Sequence, residues 1–295
     1  MTMTKHTQQI LVVAGPTASG KSDFAVELAR KHNGEIISAD SRQIYKGLDI
    51  GTGKITKIEM MGIPHHMLDI CNTEDIFSVA EYKRLALPIL EDILARGKTP
   101  IVCGGTGQYI DALIFDQELP QVQPDAKLRE RLEKVSTVEL TAKLKALDPI
   151  RLASIDIYNR PRLIRALEII EKLGYVPPQK VQKLRYNTTL YLMDITRELL
   201  RKRITQRLEK RLQGNMIEEV VVLYKKLQSI HGKKASLLTR KFGLEYVTIS
   251  KNINNEITLE KMKEEIIIKS MQYAKRQQTW NKKYLPFAKI IEIQE

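Results

Sequence analysis

The stretch ILVVAGPTASGKS, residues 10–22, joins a short apolar run to the pattern GxxxxGK[ST] at residues 15–22. The apolar run predicts a buried strand, and the apolar residues spaced along residues 23–32 predict a helix after the pattern. Between a strand and a helix this pattern forms a phosphate-binding loop, because its glycines let backbone N–H groups converge and its lysine neutralises charge. We therefore predict a phosphate site, with Mg²⁺ bound through the hydroxyl of the last residue, at Gly15, Pro16, Thr17, Ala18, Ser19, Gly20, Lys21 and Ser22.

The fold class follows from strands and helices that alternate along the N-terminal part of the chain. Residues 35–38 and 100–103 read as further short strands, and residues 78–96 read as an amphipathic helix that contains Pro88. This alternation predicts an α/β protein with a P-loop NTPase-like parallel sheet. In such a sheet the functional groups are expected at the carboxyl ends of the strands.

The pattern changes near Pro120, where LPQVQP at residues 119–124 reads as a linker. Residues 125–174 have helical patterns without a convincing strand, and strand character returns at residues 190–194. We therefore predict a helical insertion domain within an α/β core. The insertion would comprise residues 121–189, and the core would comprise residues 1–120 and 190–295.

The composition indicates a globular protein with an anionic partner. Lys and Arg number 48 against 35 Asp and Glu, which gives a net charge of +13, and 43% of the residues are hydrophobic. Such a charge favours a polyanion such as nucleic acid, although a merely basic surface is the alternative. No apolar run is long enough to cross a membrane, and 2 cysteines are too few for a disulfide framework. We therefore expect a cytoplasmic protein that does not bind membranes.

Polar residues follow the second and third predicted strands. Asp40 comes shortly after the second strand, and GGTG at residues 104–107 follows the third. Since the carboxyl ends of parallel strands share one edge of a sheet, both segments are expected beside the phosphate-binding loop. A carboxylate in this place binds Mg²⁺, acts as a general base or caps a helix, and the sequence leaves these alternatives open.

Two later motifs place basic residues at helical spacing. In RPRLIRALE, Arg162 and Arg165 lie three positions apart, while the last predicted helix has one face formed by Tyr273, Arg276, Gln277 and Trp280. Both faces suit contacts with phosphate groups or nucleic acid. The alternatives are a solvated basic face for the first motif and core packing for the second.

Motifs follow one another along nearly the whole chain: GPTASGKS, ISADSRQIY, GTGK at residues 51–54, HH at residues 65–66, GGTGQY, RPRLIRALE and YAKRQQTW. In this order they resemble the tRNA dimethylallyltransferase (isopentenyltransferase) family. The resemblance implies transfer of a dimethylallyl group from dimethylallyl diphosphate to N6 of the adenosine adjacent to the anticodon, with Mg²⁺ as cofactor. It implies the tRNA anticodon stem-loop as the partner, and we expect a monomer.

The resemblance also implies roles for the residues that match these motifs. Asp40 would accept the proton from N6, Thr106 would lie where donor and acceptor meet, and Lys21 would assist catalysis. Residues 17–22 and Arg240 would hold the donor diphosphate. Contacts with tRNA are implied for Asp40, Ser41, Arg42, Gln43, Thr106, Gln123, Pro161, Arg162, Leu163, Ile164, Arg165, Arg276 and Gln277.

Some positions depart from the pattern of that family. Gln108 stands where leucine is common after GGTG. Leu244 and Glu245 stand where the family reads the aromatic and the basic residue of GYKE. These departures bear on substrate breadth and tRNA contacts, whereas the implied reaction class is unaffected.

Other functions also fit the phosphate-binding loop. Read alone, the loop favours ATP binding and phosphoryl transfer, as in a small-metabolite kinase. A prenyltransferase acting on free nucleotides and a non-catalytic RNA-binding protein are the further alternatives. The helical insertion and the basic residues after Arg151 favour a large anionic acceptor over a small one.

Overall fold

The computed structural model describes residues 9–116, 119–120, 122–177, 183–232 and 239–294. The chain forms two compact units, one from Met1–Phe115 with Leu184–Glu295 and the other from Asp116–Lys183. The predicted insertion, residues 121–189, therefore begins later and ends later than the second unit. The reason is that Phe115 and Leu184 form an antiparallel bridge, after which the chain enters a core strand at Asn187.

The first unit is built on a parallel sheet of six strands. Their order is β3-β2-β4-β1-β5-β6, and each pair of neighbours is parallel. The strands are β1 (Gln9–Ala14), β2 (Gly34–Ser38), β3 (His65–His66), β4 (Thr99–Gly104), β5 (Asn187–Ile195) and β6 (Ala288–Ile293). Because β1, β2 and β4 are neighbours, the loops that follow them meet at one edge of the sheet, as the sequence predicts.

The described helices are α1 (Lys21–Lys31), α2 (Val79–Ala95), α3 (Gly107–Ile114), α4 (Ala126–Glu133), α5 (Thr137–Leu147), α6 (Pro149–Ser154), α7 (Arg160–Leu173), α8 (Arg197–Gln213), α9 (Met216–His231), α10 (Leu244–Ile253) and α11 (Leu259–Asn281). Short 3-10 helices lie at Thr239–Lys241 and Lys282–Phe287. Within the described ranges, no helix combines the length and the apolar character needed to span a membrane.

Strand β1 explains why its sequence is apolar without alternation. Ile10 and Val12 pack in the larger core on one face of the sheet, while Leu11 and Val13 pack with α1 on the other face. A parallel strand covered on both faces buries every side chain. The continuous apolar run is therefore the signature of a central strand.

The second unit consists of α4, α5, α6 and α7 around its own core. Leu140, Leu144 and Leu163 are fully buried there. The carboxylate of Glu168, also fully buried, accepts hydrogen bonds from the guanidinium groups of Arg129 and Arg165. The structure agrees with the helical pattern predicted for residues 125–174.

Candidate functional site

The phosphate-binding loop has the backbone that its glycines predict. Gly20 adopts φ 82° at the N-terminal cap of α1, and Ala18 has φ 62°. At Gly15 a Cβ atom would lie 2.8 Å from Cβ of Met193, so a side chain is excluded by strand β5. The loop therefore leads directly into the positive end of α1, which is a binding place for anions.

Two larger cavities adjoin this loop. The Asp40 cavity, of about 160 Å³, is lined by Thr17, Lys21, Asp40, Arg42, Gly51, Thr52, Arg207, Arg211, Phe242, Gly243, Leu244, Glu245, Ser270, Tyr273, Arg276 and Gln277. The Ser22 cavity, of about 770 Å³, has Gly20, Lys21, Ser22, Lys54, Arg203, Arg207, Lys210 and Arg211 among its lining residues. Lys21, Arg207 and Arg211 line both cavities, so three cations lie between them.

Helix α8 supplies two of these cations. Nη2 of Arg207 donates a hydrogen bond of 2.6 Å to Oγ1 of Thr17. The guanidinium of Arg211 lies so close to Gly53 that a Cβ atom at that position would overlap with it. Burial lowers the pKa of both guanidinium groups, and the charge of Arg211 lowers the pKa of Arg207 further. A bound anion would relieve this electrostatic cost.

Lys21 lies in the same electrostatic environment. Its Nζ donates a hydrogen bond of 3.4 Å to the carbonyl of Pro16. Burial lowers the pKa of Lys21, the nearby Arg207 and Arg211 lower it further, and Cys103 and Asp40 oppose the shift. A diphosphate beside this ammonium would stabilise its charged form.

Asp40 stabilises a turn and also lines a cavity. Its Oδ1 accepts a hydrogen bond of 2.9 Å from the backbone N–H of Arg42, which stabilises the turn after β2. The residue also lines the Asp40 cavity together with Lys21 and Arg207. The carboxylate is thus held in a cavity that three cationic side chains, Lys21, Arg207 and Arg211, also line.

Thr106 supports the loop after β2. Its Oγ1 accepts a hydrogen bond of 3.0 Å from the backbone N–H of Ser41 and donates one of 3.2 Å to Oγ of Ser41. The side chain of Gln43 donates a hydrogen bond of 3.0 Å to the carbonyl of Gly53. The predicted residues Ser41, Gln43 and Thr106 are therefore brought together with the residues around Asp40.

The face of α11 that carries Tyr273, Arg276 and Gln277 contributes side chains to the site and not only to core packing. Oε1 of Gln277 accepts a hydrogen bond of 2.8 Å from the backbone N–H of Thr17, and Nε2 donates one of 3.0 Å to the carbonyl of Gly105. Tyr273 and Arg276 line the Asp40 cavity. Burial and the charge of Asp40 raise the pKa of Tyr273 to about 12, so its phenol stays neutral at physiological pH.

The segment 49–54 is positioned by a residue that sequence reasoning missed. The carboxylate of Glu219 accepts hydrogen bonds of 2.7, 2.8 and 2.9 Å from the backbone N–H groups of Asp49, Ile50 and Gly51. It also accepts one of 2.7 Å from the hydroxyl of Tyr246. Glu219 therefore fixes the loop that contacts Arg211.

Arg240 is not brought to the two cavities. It lies in the 3-10 helix Thr239–Lys241, is exposed, and lines neither cavity within the described residues. Arg207 and Arg211 take the position beside the loop that was expected for Arg240. In the sequence, Arg207 and Arg211 are four positions apart, so they lie on one face of a basic helix. The same helix buries Ile204 and Leu208.

The residues of the second unit that were predicted to contact tRNA fall into two groups. Leu163 and Ile164 are 0% and 3% exposed and belong to the core, so their side chains cannot reach a polymer in solvent. The guanidinium of Arg165 donates hydrogen bonds to the carboxylate of Glu168 and to the carbonyl of Val122. The exposed members are Gln123, Pro161 and Arg162.

Comparisons with known proteins show which family this chain resembles. The profile of the family described as "IPP transferase" matches residues 43–284. A Caldanaerobacter subterraneus protein named "tRNA dimethylallyltransferase" is 42% identical over 94% of this chain and 89% of its own. An Anoxybacillus flavithermus protein of the same name is 40% identical over 95% of this chain and 89% of its own.

Solved structures show the same fold. The tRNA isopentenylpyrophosphate transferase of Bacillus halodurans is 34% identical, with a TM-score of 0.69 over 97% of this chain and 90% of that one. A eukaryotic dimethylallyltransferase described as acting on tRNA is 26% identical, with a TM-score of 0.84 over 97% of this chain and 74% of that one. With the loop, Asp40 and the cations at one edge of a P-loop NTPase-like sheet, the chain belongs to the IPP transferase family.

Proposed function

We propose that this chain is a tRNA dimethylallyltransferase, which transfers the dimethylallyl group of dimethylallyl diphosphate to N6 of the adenosine adjacent to the anticodon. The observation that carries the proposal is the position of Asp40, which lines one cavity with Thr17, Lys21, Arg207 and Arg211. A carboxylate base beside an anion site suits a reaction with a diphosphate leaving group. The partners are tRNA and the diphosphate donor, so the reaction belongs in the cytoplasm.

The bond changes follow from the chemistry of the two substrates. The amine nitrogen of adenosine forms a bond to the allylic carbon, the bond from that carbon to the diphosphate oxygen breaks, and the amine proton passes to Asp40. Lys21, Arg207 and Arg211 stabilise the charge that develops on the departing diphosphate. The loop that commonly binds nucleotides thus holds a leaving group, and the bond broken is carbon–oxygen.

The residues present fit a Mg²⁺ ion bound together with the donor. Ser22 lines the larger cavity beside Lys21 and Asp23. No group of three or more His, Cys, Asp or Glu suited to a metal occurs in the described part of the chain, so phosphate oxygens and water would supply most ligands. Mg²⁺ is usually held in this way, by one or two protein groups and a substrate phosphate. The ion would lie beside the diphosphate and stabilise the negative charge that develops on it as it leaves.

The acceptor base must leave its stack to reach the cavity of Asp40. A base in an anticodon loop is extruded at lower cost than a base in a duplex, which favours tRNA as the acceptor. The net charge of +13 favours a polyanion over a free nucleotide. We propose Arg42 and Arg276, which line the Asp40 cavity, and the exposed Arg162 as contacts with tRNA.

An acceptor comparison tests the proposal. The protein is incubated with radiolabelled dimethylallyl diphosphate and Mg²⁺, and with unmodified tRNA, AMP or no acceptor. Label should enter tRNA only, and digestion of the product should recover it on adenosine N6. Label on AMP alone would establish a free-nucleotide prenyltransferase, and the absence of transfer with retained tRNA binding would favour a non-catalytic protein.

A phosphoryl-transfer control separates the kinase alternative. The protein is incubated with ATP labelled at its γ-phosphate in place of the prenyl donor. We expect no acceptor-dependent loss of that phosphate, because the proposed reaction breaks no phosphorus–oxygen bond. Transfer of the label to a small acceptor would overturn the prenyltransferase assignment.

A further inference from the structure

The Asp40 cavity contains a second carboxylate, Glu245, which the proposed mechanism does not use. It lies in the first turn of α10 and lines the cavity together with Lys21, Arg207 and Arg211. Its Oε2 lies 3.1 Å from the point that a Cβ atom at Gly243 would occupy, so the carboxylate folds back toward the N-terminus of α10. A carboxylate in this cavity is unexpected, because it would repel the anion that Lys21, Arg207 and Arg211 are proposed to bind.

Glu245 acts on the cations through space. Its charge raises the pKa of Arg211 against the effect of burial, and it does the same for Arg207. Among the described residues it forms no ion pair within 4.0 Å. Glu245 therefore occupies none of the donors of Arg207 and Arg211, and those that are not bonded elsewhere, as Arg207 is to Thr17, are available to a ligand while their charge is partly balanced.

Glu245 favours the charged forms of Arg207 and Arg211, but it repels a diphosphate that enters the cavity. Two anions that share the same cations repel each other, and at distances within a cavity water and salt screen this repulsion less than they do on an exposed surface. The carboxylate thus weakens the binding of any diphosphate, whether donor or product. The donor has its prenyl group as a further source of binding energy, and the free product lacks that group.

We infer that Glu245 is a positioning residue whose carboxylate serves as a counter-anion for Arg207 and Arg211 and favours release of the diphosphate product. The inference rests on the proposed function, since it takes diphosphate to be the product. Glu245 touches no reacting atom in this role. Its effect should be seen on diphosphate affinity more than on the rate of the chemical step.

The test measures the binding of inorganic diphosphate by calorimetry in the full chain. Glu245→Gln should lower the Kd for diphosphate by about 10-fold, and the charge reversal Glu245→Lys should lower it further. Glu245→Asp keeps the charge and should remain within about 3-fold of the wild type. In the transfer assay, the inhibition constant of added diphosphate should fall in parallel with the Kd.

The control is Glu209→Gln, which makes the same change of charge on an exposed position of α8. Its diphosphate affinity should equal that of the wild type. An unchanged or weaker affinity in both Glu245→Gln and Glu245→Lys would overturn the inference, and the proposed function would be unaffected if label still enters tRNA. Tighter binding in both variants, together with no transfer to tRNA by the wild type, would instead support the counter-anion role and contradict the proposed function.

Discussion

The side chain of Arg207 donates a hydrogen bond of 2.6 Å to the hydroxyl of Thr17, so that helix α8 is joined directly to the phosphate-binding loop. The residues are far apart in sequence, and the contact forms only because β5 lies beside β1 and α8 follows β5. A guanidinium has several donors in a fixed plane, so it can hold the loop and still offer donors to a phosphate. The contact makes α8 part of the wall around the phosphate-binding loop, where we propose that the donor binds.

Replacement of Arg207 tests this role. Arg207→Gln should raise the KM for dimethylallyl diphosphate about 100-fold, because it removes the charge and the forked donors. Arg207→Lys should raise it about 10-fold, since an ammonium keeps the charge but cannot serve both partners in the same geometry. Steady-state transfer of labelled donor to tRNA measures both values.

The matched control for the two Arg207 variants is Arg201→Gln, at an exposed position of the same helix. It removes the same charge and should leave the KM for the donor unchanged. A wild-type KM in Arg207→Gln would show that the contact with Thr17 has no part in donor binding.

Gly53 is predicted to be required for the position of Arg211. Gly53 has φ 64°, and a Cβ atom there would overlap with the guanidinium of Arg211. Gly53→Ala should therefore displace Arg211 and lower kcat/KM for the donor about 10-fold. The control is Gly47→Ala, where φ is 70° but nothing lies within 4 Å of the added methyl group. Equal kinetic losses in the two variants would attribute the effect to backbone strain alone.

Gln277 is predicted to hold the phosphate-binding loop against the loop after β4. Gln277→Ala removes both of its hydrogen bonds, to Thr17 and to Gly105. It should lower kcat/KM about 10-fold and the free energy of unfolding by about 1 to 2 kcal/mol. The exposed Gln272→Ala, on the same helix, should change neither quantity. Kinetics and denaturant titration measure the two effects, and a wild-type kcat/KM in Gln277→Ala would contradict the prediction.

Much of the fold was predictable because its signals are local. The apolar run of β1, the glycines of the loop and the spacing of α1 each depend on neighbouring residues, and the structure has these elements where the sequence places them. The helix predicted at residues 78–96 is observed at Val79–Ala95, with Ser78 as its cap. The two-residue strand β3 escaped notice because a stretch so short has no periodicity.

The residues of the site could be predicted only where they belong to a sequence motif. Asp40 and Lys21 follow strands whose ends must meet, so their neighbourhood could be derived. Arg211 and Glu219 belong to helices after the insertion, and their positions depend on how α8 and α9 pack against the segment 49–54. No local pattern encodes that packing. The basic character of α8 was visible, but it suited a polymer surface equally well.

Asp40 is predicted to act as the base and not only as a cap. Asp40→Asn can still accept the hydrogen bond from the N–H of Arg42, but it cannot take up a proton at neutral pH. It should lower the transfer rate about 1,000-fold while tRNA binding stays within about 3-fold of the wild type. Asp40→Ala loses the turn as well and should be no faster. A rate near that of the wild type in Asp40→Asn would leave Asp40 with a structural role only.

Glu35 is predicted to stabilise the amino-terminal edge of the sheet in a pH-dependent way. Its carboxylate is 3% exposed and accepts bonds of 2.6 and 2.8 Å from Arg96 and one of 2.7 Å from Lys98. The bond from Arg96, with those from Lys98 and His66, holds the pKa of Glu35 far below its ordinary value of 4.5. A carboxylate with a lowered pKa contributes stability above its unfolded-state pKa and loses that contribution as the pH falls through the folded-state pKa.

Glu35→Gln should therefore lower the free energy of unfolding at pH 7 by about 2 to 3 kcal/mol, because three basic side chains lose their counter-charge. The difference from the wild type should narrow as the pH falls below 4.5, since the wild-type carboxylate is then protonated in the unfolded state and progressively in the folded state. Urea titrations at pH 7, 5 and 3 measure it. Glu264→Gln removes an exposed pair with Lys261 and should change the free energy of unfolding much less than Glu35→Gln does at pH 7. A difference for Glu35→Gln that stays constant from pH 7 to pH 3 would mean that the side chain acts by packing and not by its charge.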